Sequence, residues 1–267
     1  MGMSDSHVHL HAFADPDGLL ARARGAGVSL MVGVGVDLAT SRQTIDIARC
    51  QPDVFAAVGL HPAYLTHDVD LDRALDKIEA LAREPRVGFV GEIGIDLVDG
   101  TATLERQSAA FEAQLRLANR FRLAVNLHIQ GAFDEVFDVI RRVGLPKPGA
   151  VIHYFVGDET LARRALDLGL YLSVGKPVTR EHNGQLRRVV TTVPLQCLLL
   201  ETDSYPLPGR RTEPADVARV AEAVASLKRL PVEDVTEATT ANLVKLLGER
   251  FLLPPRASVH MTGSGNG

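Results

Sequence analysis

Short apolar runs alternate along the chain with segments whose apolar residues recur every three or four positions. The runs are 28–34, 54–60, 87–92, 123–128, 150–155, 170–174 and 198–203, most with polar residues gathered at the carboxyl end. Residues 3–10 begin the series with a polar strand. Strands that are apolar on both faces belong to parallel sheets covered by helices. The helical segments 15–25, 38–50, 71–83, 104–120, 133–143, 159–168 and 180–190 fall between these runs, and Asp15 and Pro16 supply an N-cap and a first helical position. Eight strand-then-helix units predict an α/β chain folded as a closed (β/α)8 TIM barrel. Two further helices, 214–229 and 232–251, are divided by Leu230-Pro231. No linker or repeat intervenes, so residues 1–253 are read as one domain. Residues 254–267 have no apolar period and are expected to form a disordered tail.

Composition narrows the class without naming a chemistry. The chain has 267 residues, ample for a full barrel core, and a formal charge of −4, which argues against a globally basic nucleic-acid binder. No uncharged run is long enough to span a membrane, and no signal peptide is apparent, so a cytoplasmic protein is expected. Cys50 and Cys197 form no C-x-x-C motif and read as small core residues in a reducing compartment. Nothing points to an obligate protein partner.

Chemistry enters at the strand ends. In Asp5-Ser6-His7-Val8-His9, alternate side chains share a face, so Asp5, His7 and His9 point the same way. Glu92, His128, His153 and Asp203 end four later strands, and polar residues at that face of a barrel converge. Four imidazoles and two carboxylates suit two divalent cations sharing a bridging carboxylate, with Mg, Mn, Zn, Fe or Ni all compatible. Asp203 is suited both to touch a cation and to take a proton from water. Glu201 shares its face one layer deeper and is expected to orient His7 or His9.

The segments Asp5-Ser6-His7-Val8-His9-Leu10, Gly59-Leu60-His61-Pro62, Gly91-Glu92-Ile93-Gly94-Ile95-Asp96, His153-Tyr154-Phe155-Val156-Gly157 and Glu201-Thr202-Asp203-Ser204 resemble the TatD family of metal-dependent hydrolases, within the amidohydrolase-like barrels. The similarity runs from about residue 3 to 251. It implies a divalent-metal hydrolase, most often described as a deoxyribonuclease acting on phosphodiesters. It implies one ion on His7, His9 and Asp203, a second on His128 and His153, and Glu92 between them. His61 would sit near the substrate as a donor to a phosphate oxygen, with a part in catalysis. Gln130 stands where the family commonly has arginine, Tyr205 displaces a common proline, and Leu97 replaces a common aromatic residue. These three positions touch substrate contacts and leave the ligand pattern intact.

The expected substrate is therefore DNA or a small phosphodiester. Lys176, Arg180, Arg210 and Arg211 follow the seventh and eighth strands, where barrels often bind phosphate. No stripe of aromatic residues for stacking bases is apparent. Hydrolysis of carbon–nitrogen, ester or lactone bonds on the same site is the alternative. A non-catalytic metal-holding protein is a third reading.

Overall fold

The computed structural model describes residues 2–206 and 212–252. Its sheet has the order β1 Met3–Val8, β2 Val28–Val34, β3 Val54–Val58, β4 Val87–Asp96, β5 Ala124–Gln130, β6 Ala150–Ile152, β7 Tyr171–Val174 and β8 Leu198–Leu200, all neighbours parallel. Val8 bridges Ser204. The Asp203 N–H donates to His7 O at 3.0 Å and the His9 N–H to Ser204 O at 3.0 Å, so first and last strands meet beyond β8 and the barrel closes there.

The connecting helices are α1 Pro16–Gly25, α2 Leu38–Cys50, α3 Leu71–Ala82, α4 Leu104–Phe121, α5 Phe133–Val143, α6 Glu159–Asp167 and α7 Gly184–Thr192. Asp15, Asp37, Asp70, Thr103 and Asp158 cap five of them by accepting a backbone N–H two or three residues into the first turn. After β8 come α8 Val217–Lys228 and α9 Val232–Leu247. The larger apolar cluster lies between strands and surrounding helices. A smaller one uses the alternate strand residues Leu30, Val32, Phe55, Phe89 and Leu199, and is closed by Leu243, Leu246 and Leu247 of α9. One end of the barrel is thus an apolar floor, and the carboxyl ends of the strands are free for polar groups.

Several boundaries differ from the sequence-based expectation. The fourth strand, expected to end at Glu92, continues as β4 to Asp96. Gly94 is there for close approach: it pairs with His128 at φ +152°, and a Cβ would lie 1.9 Å from the His128 carbonyl oxygen. β6 and β8 end sooner than expected, at Ile152 and Leu200. The chain there leaves the pleat, and Tyr154 (φ 45°) and Asp203 (φ 49°) adopt the left-handed conformation. α7 begins at Gly184 because a 3-10 turn, Lys176–Thr179, comes first, and another, Pro214–Asp216, precedes α8. Cys50 is exposed at the end of α2 and Cys197 is half-buried, so neither is the core residue expected. The expected tail lies outside the described residues.

Candidate metal centre

The structure brings His7, His9, Glu92, His128, His153 and Asp203 together at the carboxyl end of the barrel. Glu92 lies in the middle, only 3 % exposed. Its Oε1 is 2.8 Å from His128 Nδ1 and 2.7 Å from His153 Nε2. Its Oε2 is 3.5 Å from His7 Nε2 and 3.9 Å from His9 Nε2. Each carboxylate oxygen is therefore addressed by its own pair of imidazoles. Asp203 Oδ1 stands on the His7/His9 side, at 3.7 and 3.4 Å from their Nε2 atoms.

The outer nitrogens of these rings decide what the inner ones present. His9 Nδ1 is 3.2 Å from the Val34 carbonyl oxygen, which can only accept, so in the neutral ring Nδ1 carries the proton and Nε2 is left with the lone pair. His7 Nδ1 faces Asn126 Oδ1 at 3.3 Å, and His128 Nε2 faces Asp96 Oδ2 at 3.0 Å, with the same result. His153 Nδ1 is 3.6 Å from Glu201 Oε1. Lone pairs thus converge inward, His7 Nε2 on His9 Nε2 at 3.3 Å and His128 Nδ1 on His153 Nε2 at 3.2 Å. Facing lone pairs beside two carboxylates repel one another unless a proton or a metal cation lies among them, and imidazole with carboxylate is a donor set for a divalent ion. The donor atoms fall into overlapping groups within 4.8 Å: His7, His9 and Glu92; His7, His153 and Asp203; and His61, Glu92 and His128.

Protonation follows the same logic. Burial opposes charge on Glu92, yet the surrounding imidazoles of His153, His61 and His7 hold its carboxyl well below the ordinary range. Burial likewise opposes ionisation of Asp203, and the His9 hydrogen bond with the neighbouring rings outweighs it, lowering the pKa to about 2. Burial works against protonation of His9 and His153, but the adjoining carboxylates raise both, His153 far above the usual imidazole value.

His61 belongs to the cluster by position and differs by tautomer. Its Nδ1 accepts the Ala63 N–H at 3.1 Å, so the neutral ring carries its proton on Nε2, 3.4 Å from Glu92 Oε1. Burial, chiefly, lowers its pKa and keeps it neutral. A donor results, not a ligand. Asp5 has the strand parity of His7 and His9 but a different use: its Oδ1 accepts the N–H groups of His7 (3.2 Å) and Thr202 (3.0 Å), and its Oδ2 the Thr202 hydroxyl (2.5 Å). Burial pushes its carboxyl well above the usual range.

Glu201 was expected to orient His7 or His9. Instead Oε1 accepts the Tyr154 N–H at 2.6 Å and lies 3.6 Å from His153 Nδ1. The rings of His7 and His9 are held by Asn126 and the Val34 carbonyl. Asn126 and Asp96 were missed by sequence reasoning. Asn126 was legible by parity, two residues before His128 on one strand, whereas Asp96 lies past the expected end of its strand at Glu92.

A pocket of about 670 Å³ opens above the cluster. Gln130, exposed at the end of β5, and Lys176 line it, and Lys176 Nζ donates to Thr212 Oγ1 at 3.4 Å. Arg180 is exposed and is not part of the lining. Arg210 and Arg211 lie outside the described residues. Tyr64, Tyr154 and Tyr205 line it from three separate connections, which a search for a linear stripe does not find, and of the three Tyr205 alone was expected near substrate.

Comparison with known proteins adds a family. The model of a family described as TatD related DNase matches residues 4–248. A 3'-5' ssDNA/RNA exonuclease TatD of Klebsiella pneumoniae is 35% identical over 246 residues, 88% of this chain and 92% of the relative. The uncharacterized metal-dependent hydrolase YabD of Bacillus subtilis is 30% identical over 250 residues, 91% of this chain and 97% of the relative. The crystal structure of YjjV, a TatD homologue from Escherichia coli, aligns with a TM-score of 0.84 at 32% identity, over 91% of this chain and 97% of that one.

Proposed function

Because the chain belongs to the TatD-related DNase family of metal-dependent hydrolases, we propose that it hydrolyses phosphodiester bonds in nucleic acid at a binuclear divalent-metal site, with Asp203 as general base. The observation that carries this reading is Glu92, whose two oxygens each face a separate pair of imidazole lone pairs. His7, His9 and Asp203 would hold one ion, His128 and His153 the other, with Glu92 common to both. Divalent ions there would supply a nucleophile at neutral pH and offset charge on the phosphoryl oxygens.

The remaining steps belong to the chain itself. Asp203 stays anionic at neutral pH, and its side chain is 18% exposed against 4% for Glu92. It can therefore accept a proton from a water in the pocket and return it to solvent, which the sealed Glu92 cannot. His61 presents Nε2–H toward the cluster and suits a phosphoryl oxygen as donor. Lys176 and Gln130 contribute a cation and a neutral amide to the pocket wall, with Arg210 and Arg211 as further substrate contacts by their place in the sequence. Two carboxylates only half neutralise two divalent ions, so the site stays positive toward a phosphodiester anion. Residues 1–253 act as a single domain in this reading.

The neutral Gln130 favours a second reading, hydrolysis of a carbon–nitrogen, ester or lactone bond. One experiment separates the two. Protein loaded with Mg, Mn or Zn is assayed by element analysis and against single-stranded DNA, a chromogenic phosphodiester and lactones. Two ions per chain with turnover of the first two substrates is expected. Stoichiometry at or below one removes the binuclear site, and turnover of lactones alone removes the phosphodiester.

A further inference from the structure

Two of the tyrosines at the pocket mouth stand in matching relation to the cluster. Tyr205 is 38% exposed, and its ring lies edge-to-face on His9, with centroids 6.0 Å apart and planes at 80°. Tyr64 is 50% exposed and lies edge-to-face on His61, also at 6.0 Å and at 79°. His9 is on the side of Glu92 Oε2 and Asp203, whereas His61 faces Oε1 and packs on His128. The rings therefore flank opposite ends of the shared carboxylate.

Both are carried on fixed backbone. The Tyr64 N–H donates to His61 O at 2.9 Å within a 3-10 turn that starts at Pro62. Tyr205 follows Ser204, which is bonded to β1. Large apolar faces left in water at a pocket mouth, on rigid supports, are suited to a flat partner. Every nucleobase has such a face, and stacking is indifferent to its identity.

From this the geometry points to Tyr64 and Tyr205 as a pair of nucleobase-stacking positions, one for the base on each side of the phosphodiester. The inference rests on the phosphodiesterase reading and narrows it to substrates with a base on both sides of the bond, with little preference among bases. It also assigns Tyr205 a role in which its ring, not its hydroxyl, is used.

The chain provides its own reporter. It has no tryptophan and four tyrosines, three of which line the pocket, so their emission is not masked. A thymidine dinucleotide and its two analogues with one abasic nucleoside are titrated into the whole chain, in EDTA and after metal loading. Tyrosine emission and turnover are read separately. The dinucleotide should quench emission and bind more tightly than either analogue. Tyr205→Ala should weaken dinucleotide binding about fivefold or more and become indifferent to loss of one base, and Tyr64→Ala to loss of the other. Tyr205→Phe and Tyr64→Phe should bind as wild type. Both side chains are exposed, so truncation leaves no core cavity. The inference is overturned if wild type does not distinguish the three probes, if an alanine variant changes all three equally or not at all, or if both tyrosines answer to the same base. Absence of turnover with every metal would instead defeat the phosphodiesterase reading, and the binding arm would still decide the role of the rings.

Discussion

Glu92 and Asp203 lie among the same imidazoles and differ in access to water, and that difference assigns their parts. Asp203→Asn keeps size and an oxygen but cannot take a proton near neutral pH. Turnover should fall at least about a hundredfold, with the fold and metal on His128 and His153 retained. If saturating metal restores turnover to near wild type, Asp203 is a ligand alone and the base is another group. A second outcome comes from the raised imidazoles. A divalent ion needs the lone pairs that protons occupy on His9 and His153, so its affinity should rise with pH and level off above their pKa values. Asp203 at about 2 and Glu92 below its usual range hold no proton there and add nothing to the slope. Calorimetry at about pH 7 in buffers of different ionisation enthalpy should therefore report release of about one proton or more per chain. Affinity that is flat across this range, with no buffer dependence, contradicts the arrangement. The cluster itself was legible in the sequence because most of its members stand at the carboxyl end of an apolar run. The groups holding each ring were not, since Val34 O, Asn126 and Asp96 face their histidines only through cross-strand register.

At the scale of elements, seven apolar runs and the polar stretch 3–10 located all eight strands, and the errors fall at the catalytic face. β4 runs on past the expected end at Glu92, and Gly94 marks where one backbone must pass another without a side chain between. Strands six and eight were drawn straight through their ligands. In the molecule both turn out of the pleat, and left-handed Tyr154 and Asp203 swing the functional groups over the mouth. Periodicity reports burial, so it follows a strand only while both faces are covered. Where a strand emerges into the pocket the signal ends, and the geometry that matters begins. The displacement of Glu201 from the expected ring to His153 has the same origin: parity gave its face correctly, and neighbour relations around the barrel decided whom it met.

For the whole molecule, stability and chemistry occupy opposite ends. Leu247 is buried in the floor, so close under β4 that a side chain at Gly88 would lie 2.4 Å from its Cδ2. Leu247→Ala should cost about 2–5 kcal/mol and lower the melting temperature by roughly 5 °C or more. Metal affinity and turnover, measured well below that temperature, should stay within about twofold of wild type. Loss of metal from a variant of unchanged stability would show the two ends to be coupled. The seam at which the barrel closes has a consequence in time. His7 and His9 leave the ribosome almost two hundred residues before Asp203 and the Ser204 bridge that joins it to β1. A growing chain therefore carries its histidines past the message that encodes it with no means of completing the set, and the hydrolase comes into being only after β8 and the residues that follow it have been made.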